Sequence, residues 1–124
     1  MVELTGELGT GKTTFVRAAA RALGVRQQVR SPSYTIGAAY FSDRGHVSHL
    51  DLYRATGMTE EEWADLEPYF DDAIVFVEWP EAGRTRLPEP TWTVELRHQG
   101  GDARLISLGC KDAAALDAVA RTLA

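Results

Sequence analysis

The run Gly6-Glu7-Leu8-Gly9-Thr10-Gly11-Lys12-Thr13 fits the pattern Gly-x-x-x-x-Gly-Lys-Thr. It restricts the chain to folds in which a short strand feeds a helix through a tight glycine-rich turn. Glycine lets the backbone take left-handed angles and pass close to a ligand, so that successive N–H groups can point inward at phosphate oxygens. In such a loop the lysine reaches the β- and γ-phosphates and the next hydroxyl joins a Mg²⁺ shell. Lys12 and Thr13 are placed for these roles, with Gly6, Glu7, Leu8, Gly9, Thr10, Gly11 and Thr14 completing the lining. Only two of the 13 basic residues are lysines, Lys12 and Lys111, which sets Lys12 apart from generic surface charge.

The flanks supply the expected context. Residues 2–5 read as a strand, and Phe15, Ala18, Ala19, Ala22 and Leu23 recur at helical spacing, with Arg17 and Arg21 on the wetter face and Gly24 as a stop. Residues 34–41 and 47–53 read as strands around the turn Ser42-Asp43-Arg44-Gly45. Thr59 and Glu62 have capping-box spacing for a helix carrying Trp63, Leu66 and Phe70, whose end Pro68 leaves open. Residues 73–77 form the most apolar strand, followed by Glu78-Trp79-Pro80. Residues 91–98 and 103–109 pair as a hairpin through Gly100-Gly101, and Leu116, Val119, Ala120 and Leu123 mark a terminal helix. With no internal repeat or low-complexity linker, residues 1–124 predict a single α/β P-loop NTPase domain. Its central sheet should be mostly parallel or mixed, flanked by helices, with a C-terminal β hairpin.

Charge is unevenly spread. Residues 55–83 hold nine Asp/Glu and no Arg/Lys, a block that would repel a nucleic-acid backbone; it reads as a wet helix face or as a docking surface for a basic partner. The single cysteine, Cys110, excludes an internal disulfide and a cysteine metal cluster, and reads as inert packing. There is no cationic and apolar leader and no long apolar run, which points to the cytoplasm.

A phosphate loop needs carboxylates nearby to organise Mg²⁺ and water. Glu78 lies at the C-terminal end of the most apolar strand, where an open α/β sheet presents groups to its crevice. Asp51 shares period-two spacing with His49 and Tyr53, so the three should lie on one face of a strand; that face is either a metal and water site or simply wet. Ser31, Ser33 and Thr35 read as a switch that senses the γ-phosphate, or as an ordinary turn. Tyr53 and Arg54 either anchor a surface or cover the sheet, and Trp79 is either a core cap or an aromatic platform. His49 has no ligand-spaced His or Cys around it, which disfavours zinc. Guanine recognition through Asn-Lys-x-Asp is excluded because the chain has no asparagine, so ATP is favoured over GTP. A small-molecule kinase and a nucleotide-responsive adaptor that works by binding are the alternatives to an ATPase.

Four segments in register carry a resemblance: residues 8–13, Ser31-Pro32-Ser33-Tyr34-Thr35, His49-Leu50-Asp51-Leu52-Tyr53-Arg54 and Glu78-Trp79-Pro80-Glu81. Together they resemble the tRNA threonylcarbamoyladenosine biosynthesis ATPase family, TsaE/YjeE, over nearly the whole chain. The resemblance implies a cytoplasmic ATPase that uses ATP and Mg²⁺ and supports threonylcarbamoyladenosine formation at position 37 of tRNA. It further implies that the TsaD/TsaB pair acts as its partner. It also implies that Lys12, Asp51 and Glu78 do the catalytic work, that Thr13, Asp51 and Glu78 surround the metal, and that Trp79 is a functional aromatic. Ser31-Pro32-Ser33 is similar to the family's switch, with Ser33 replacing a threonine, and Thr10 stands where alanine is usual. The family's usual N-terminal strand and helix are expected to be lacking here, since residues 2–5 already form the phosphate-loop strand.

Overall fold

The computed structural model describes residues 1–32 and 35–123. Six strands, β1 (Val2–Thr5), β2 (Gly37–Ser42), β3 (Gly45–Asp51), β4 (Ala73–Glu78), β5 (Trp92–His98) and β6 (Arg104–Cys110), form one sheet in the order β2-β3-β4-β1-β5-β6. β3, β4, β1 and β5 run parallel, while β2 and β6 are antiparallel edge strands, each joined to its neighbour by a hairpin. The sheet is therefore mixed with a parallel centre, and β1 lies in the middle of it. The C-terminal ends of β1, β3 and β4 meet along one rim: Leu4 pairs with Glu78, and Asp51 pairs with Glu78 from the other side.

Side-chain alternation divides the core between two faces. Leu4, Val47, Phe76 and Val94 face the helix α1 (Lys12–Ala22), whose Val16 and Ala20 are fully buried against them. Leu50, Leu52, Val75 and Val77 face the opposite layer, built from α2 (Glu60–Ala64) and the 3₁₀ turns Glu67–Phe70 and Pro80–Gly83. The same alternation places His49, Asp51 and Glu78 on the α1 side, at the rim. Leu4 is completely buried at the centre of the α1 face. Leu4→Ala is expected to lower stability by about 2–5 kcal/mol in a denaturant titration; a loss below about 1 kcal/mol would show that β1 contributes little to the core.

Five sequence expectations need correction. The apolar stripe of α1 is rotated: Val16 and Ala20 are its centre, Phe15, Ala19 and Leu23 flank it, and Ala18 and Ala22 are exposed. The helix expected to carry Trp63, Leu66 and Phe70 is broken. Thr59 and Glu62 do form the capping box, but α2 ends at Ala64, because Pro68 has no N–H to donate to the Ala64 carbonyl and the chain continues as a 3₁₀ turn. β3 starts at Gly45 and stops at Asp51 rather than Tyr53, since the Asp51 carboxylate accepts the Tyr53 N–H at 3.0 Å and turns the chain. Of the strand expected at 34–41, residue 34 lies outside the described residues and β2 begins at Gly37. The terminal helix α3 (Ala113–Leu123) forms, but only Leu116 and Val119 of its stripe are half-buried; Ala120 and Leu123 are exposed. The acidic block is largely solvated, apart from Glu78, which is 3% exposed. Among the described residues no helix is long and apolar enough to cross a membrane.

Candidate functional site

The loop leaves β1 through Gly6, Gly9 and Gly11, all at positive φ (145°, 77° and 102°). A Cβ on Gly6 would lie 2.4 Å from the Leu96 carbonyl oxygen of β5, so the loop folds as it does only because that position carries no side chain. Thr10, 1% exposed, closes the turn: its hydroxyl donates to the Glu7 carbonyl at 2.8 Å. The threonine is thus an internal tie of the loop. α1 begins at Lys12 with Gly11 as N-cap, no side-chain cap and no acidic residue in its first turn, so its leading N–H groups and positive dipole end are left for an external anion.

Lys12 is only 5% exposed, and its Nζ donates to the Gly6 and Glu7 carbonyls at 2.7 and 2.9 Å. Burial holds its ammonium below the ordinary lysine value, against the opposite pull of Glu78, Asp51 and Glu81. The same Nζ lies 4.2 Å from the centre of a Trp79 ring. Trp79 occupies a left-handed conformation (φ 55°) that non-glycine residues adopt rarely, and its ring packs 4.9 Å from that of Tyr53. A strained aromatic therefore sits on the loop lysine.

Thr13, on the first turn of α1, donates its hydroxyl to Glu78, with both carboxylate oxygens at 3.0 Å. The other side of that carboxylate meets His49, whose Nε2 lies 2.5 Å from Glu78 Oε2. Asp51 is next to Glu78 across the β3–β4 pair and half-buried. Among the described residues no cluster of three or more His, Cys, Asp or Glu forms a self-sufficient metal cage. A phosphate-loop Mg²⁺ does not require one: phosphate oxygens and water fill most of its shell. The oxygen donors of Thr13 and Glu78, in mutual contact beside a cradle of N–H groups, fit that ion.

Desolvation raises the Asp51 carboxyl above its ordinary value, with Glu78 adding to the shift and the Tyr53 N–H, His49 and Lys12 opposing it. An acid raised in this way binds more protons folded than unfolded between its two values. Its contribution to stability therefore falls as pH rises through that window, and the deficit is complete above the folded value. Asp51→Asn is expected to raise the thermal midpoint of the nucleotide-free chain at pH 7.5 by about 1–3 °C, a modest figure because the group is half-exposed. The advantage should disappear near about pH 3, where aspartate is neutral; an Asn variant less stable at pH 7.5 would contradict the assignment.

Other expected site residues fall into place unevenly. Ser31, Thr35, Asp51, Tyr53 and Arg54 line one cavity of about 350 Å³, so residues far apart in sequence are brought together beside the rim. Thr35 donates to the Gly37 carbonyl at 3.1 Å, while Ser33 lies outside the described residues. Glu7, Leu8, Gly9 and Thr14 are exposed, and Trp79 is half-buried, facing a second cavity of about 520 Å³ with Gly6, Glu7 and Thr10. Sequence reasoning did not find the contact of His49 with Glu78, although shared strand parity with Asp51 was a signal. It also missed how the β5–β6 hairpin meets the loop, where His98 Nε2 lies 3.4 Å from the Leu8 carbonyl and Arg104 donates to that of Gly9 at 3.4 Å. No local pattern announces those contacts, since they depend on where the hairpin lies beside the loop.

Residues 1–106 match the family model of threonylcarbamoyl adenosine biosynthesis protein TsaE. The chain is 38% identical over 109 residues to the tRNA threonylcarbamoyladenosine biosynthesis protein TsaE of Haemophilus influenzae, covering 87% of this chain and 68% of that protein. It is 37% identical over 105 residues to the protein of the same name from Streptomyces coelicolor, covering 82% of this chain and 71% of the relative. Among solved structures, YdiB of Bacillus subtilis superimposes with a TM-score of 0.76 at 27% identity, over 99% of this chain and 78% of that one.

Proposed function

The chain belongs to the TsaE family, and from that premise we propose that it is a cytoplasmic, Mg²⁺-dependent P-loop ATPase. In this reading it supports N6-threonylcarbamoyladenosine formation at position 37 of tRNA, through the TsaD/TsaB machinery. The observation that carries the reading is the convergence of Lys12, Thr13 and Glu78 at one rim of the sheet, with Thr13 and Glu78 in direct hydrogen bond. Two of these residues come from the loop and one from a strand 65 positions away.

The glycine-rich turn and the first turn of α1 bind the phosphates through backbone N–H groups. Lys12 exchanges the Gly6 and Glu7 carbonyls for phosphate oxygens, so its charge sits where negative charge accumulates on the transferring group. Its existing partners are neutral carbonyls, weaker acceptors for an ammonium than a phosphate oxygen. Mg²⁺, when bound, neutralises the β- and γ-oxygens, and Thr13 with Glu78 would hold it. Asp51, beside Glu78, orients the attacking water electrostatically. Its elevated affinity for a proton leaves open to it a share in accepting one from that water. Trp79, with Tyr53 packed against its ring, covers the lysine and limits access of bulk water. No covalent enzyme intermediate is involved.

The test is phosphate release from Mg-ATP by the full chain, alone and with TsaD/TsaB. Slow turnover alone and clear stimulation by the pair are expected. Stoichiometric appearance of labelled γ-phosphate on a metabolite would replace the reading by a kinase. Full restoration of tRNA modification by a nonhydrolysable ATP analogue would replace it by a nucleotide-dependent adaptor.

A further inference from the structure

His49 is fully buried, and of all described side-chain polar atoms without water contact its Nδ1 alone has no hydrogen-bond partner. On the α1 face of β3, it lies between Val47 and Asp51 in strand parity and opposite Phe76 in register. An apolar side chain would fill this space with no bare nitrogen, and burying an unpartnered polar atom is unfavourable. Packing alone therefore does not account for an imidazole. What the imidazole does have is a contact 2.5 Å long, from Nε2 to Glu78 Oε2.

Glu78 is itself buried, at 3% exposure, and its carboxylate is held from two sides. Thr13 approaches from α1 with both oxygens at 3.0 Å, and His49 approaches from β3 on Oε2. A glutamate has three side-chain torsions, and the Thr13 hydroxyl is the very group expected to turn toward a metal. Once it turns, His49 is the remaining described side-chain donor on Glu78. A contact this short requires a proton between nitrogen and oxygen. Of the forms of imidazole, only the Nε2–H tautomer places that proton on the shared edge and leaves a lone pair, rather than an N–H lacking an acceptor, at Nδ1.

We propose that His49 is a positioning residue for Glu78: locked as the Nε2–H tautomer, it holds the carboxylate in place when Thr13 is engaged elsewhere. It touches neither nucleotide nor reacting atoms. The orientation of Glu78 matters for turnover only if the ATPase reading above is right, on which that part of the inference rests. The tautomer and the hydrogen bond do not depend on it.

Two measurements separate these levels. The first is side-chain ¹⁵N correlation NMR of the nucleotide-free full chain at neutral pH. A protonated Nε2 and a bare Nδ1 are expected for His49, with the Nε2 signal displaced in Glu78→Gln. Averaged tautomers, a protonated Nδ1, or no response to Glu78→Gln would overturn the proposal whatever the chain catalyses. The second is a comparison of His49→Gln, His49→Asn and His49→Leu in partner-stimulated phosphate release, with thermal unfolding as a check on folding. Glutamine places an N–H donor near the Nε2 position, whereas asparagine reaches only that of Nδ1. His49→Asn and His49→Leu are expected to lower kcat by roughly 10–100-fold with KM for ATP changed by less than about threefold, and His49→Gln to recover most of the loss. Should His49→Leu fail to fold, the Gln and Asn pair decides. Equal losses in Gln and Asn, or a loss confined to KM, would overturn the positioning role. Absence of any hydrolysis by the wild-type chain with TsaD/TsaB would instead sink the ATPase reading and leave the first measurement to judge the hydrogen bond.

Discussion

Lys12→Ala is expected to lower TsaD/TsaB-stimulated phosphate release by about 10²–10³-fold, the usual consequence of losing one preorganised donor from a site that stabilises developing negative charge. The fold should tolerate the change. The lysine gives up two hydrogen bonds to loop carbonyls and its contact with Trp79, each worth about 1 kcal/mol. Removing it also ends the desolvation of an ammonium that burial already disfavours. These terms oppose each other, so a net change within about 2 kcal/mol is expected. Two assays on one preparation separate the effects: denaturant unfolding for stability, and phosphate release with saturating partners for turnover. A Lys12→Ala chain that unfolds normally yet keeps a third or more of the stimulated rate would remove the central residue from the mechanism. A chain that loses both would leave the rate uninformative, and Lys12→Met, which keeps most of the aliphatic stem without the charge, then isolates the ammonium.

The phosphate loop was legible because its requirements are local. Positive φ at Gly6, Gly9 and Gly11, an ammonium one residue on and a hydroxyl after it all lie within eight consecutive positions. β1, β4 and the late hairpin were legible for a related reason, as each is short and bounded by turn residues. The two-residue parity of residues 49–53 also placed Asp51 on the right face, but it could not say that Glu78 would lie across from it, because strand order is a property of the whole sheet. What escaped was tertiary. The stripe of α1 centres on Val16 and Ala20 because the helix rotates to seat its narrow side on Leu4 and Phe76, a choice that five similar apolar positions leave undetermined. Pro68 signalled an interruption, yet whether the chain would kink or change helix type depended on the layer it packs against. The role of Thr10 was hidden for the opposite reason: tolerance of a small side chain was foreseeable, a hydroxyl tying Glu7 was not.

A comparison of two glycines in the loop separates shape from chemistry, and Gly6→Ala is expected to be the more destabilising of the two. Its Cβ would meet the Leu96 carbonyl oxygen at 2.4 Å and the Thr10 hydroxyl at 2.8 Å, at a φ of 145° that alanine resists. The Thr10 side chain can rotate, at the expense of its bond to Glu7; the Leu96 carbonyl belongs to β5, which is held between β1 and β6, and cannot move without disturbing that pairing. Overpacking of about 1–3 kcal/mol and backbone strain of a similar size add, giving a loss of about 2–6 kcal/mol and a fall of roughly 10–20 °C in the thermal midpoint. Gly9→Ala differs in one respect that matters: nothing lies within 4 Å of its Cβ, so only the left-handed strain at φ 77° remains, about 1–2 kcal/mol. If the loop is a preformed cradle held by β5, the two variants should differ by at least about 1 kcal/mol in unfolding, with Gly6→Ala also losing nucleotide binding. Equal, small losses would mean that the loop moves freely relative to β5. The tight approach at Gly6 would then be one arrangement among several rather than the support on which Lys12 and the N-terminus of α1 are positioned.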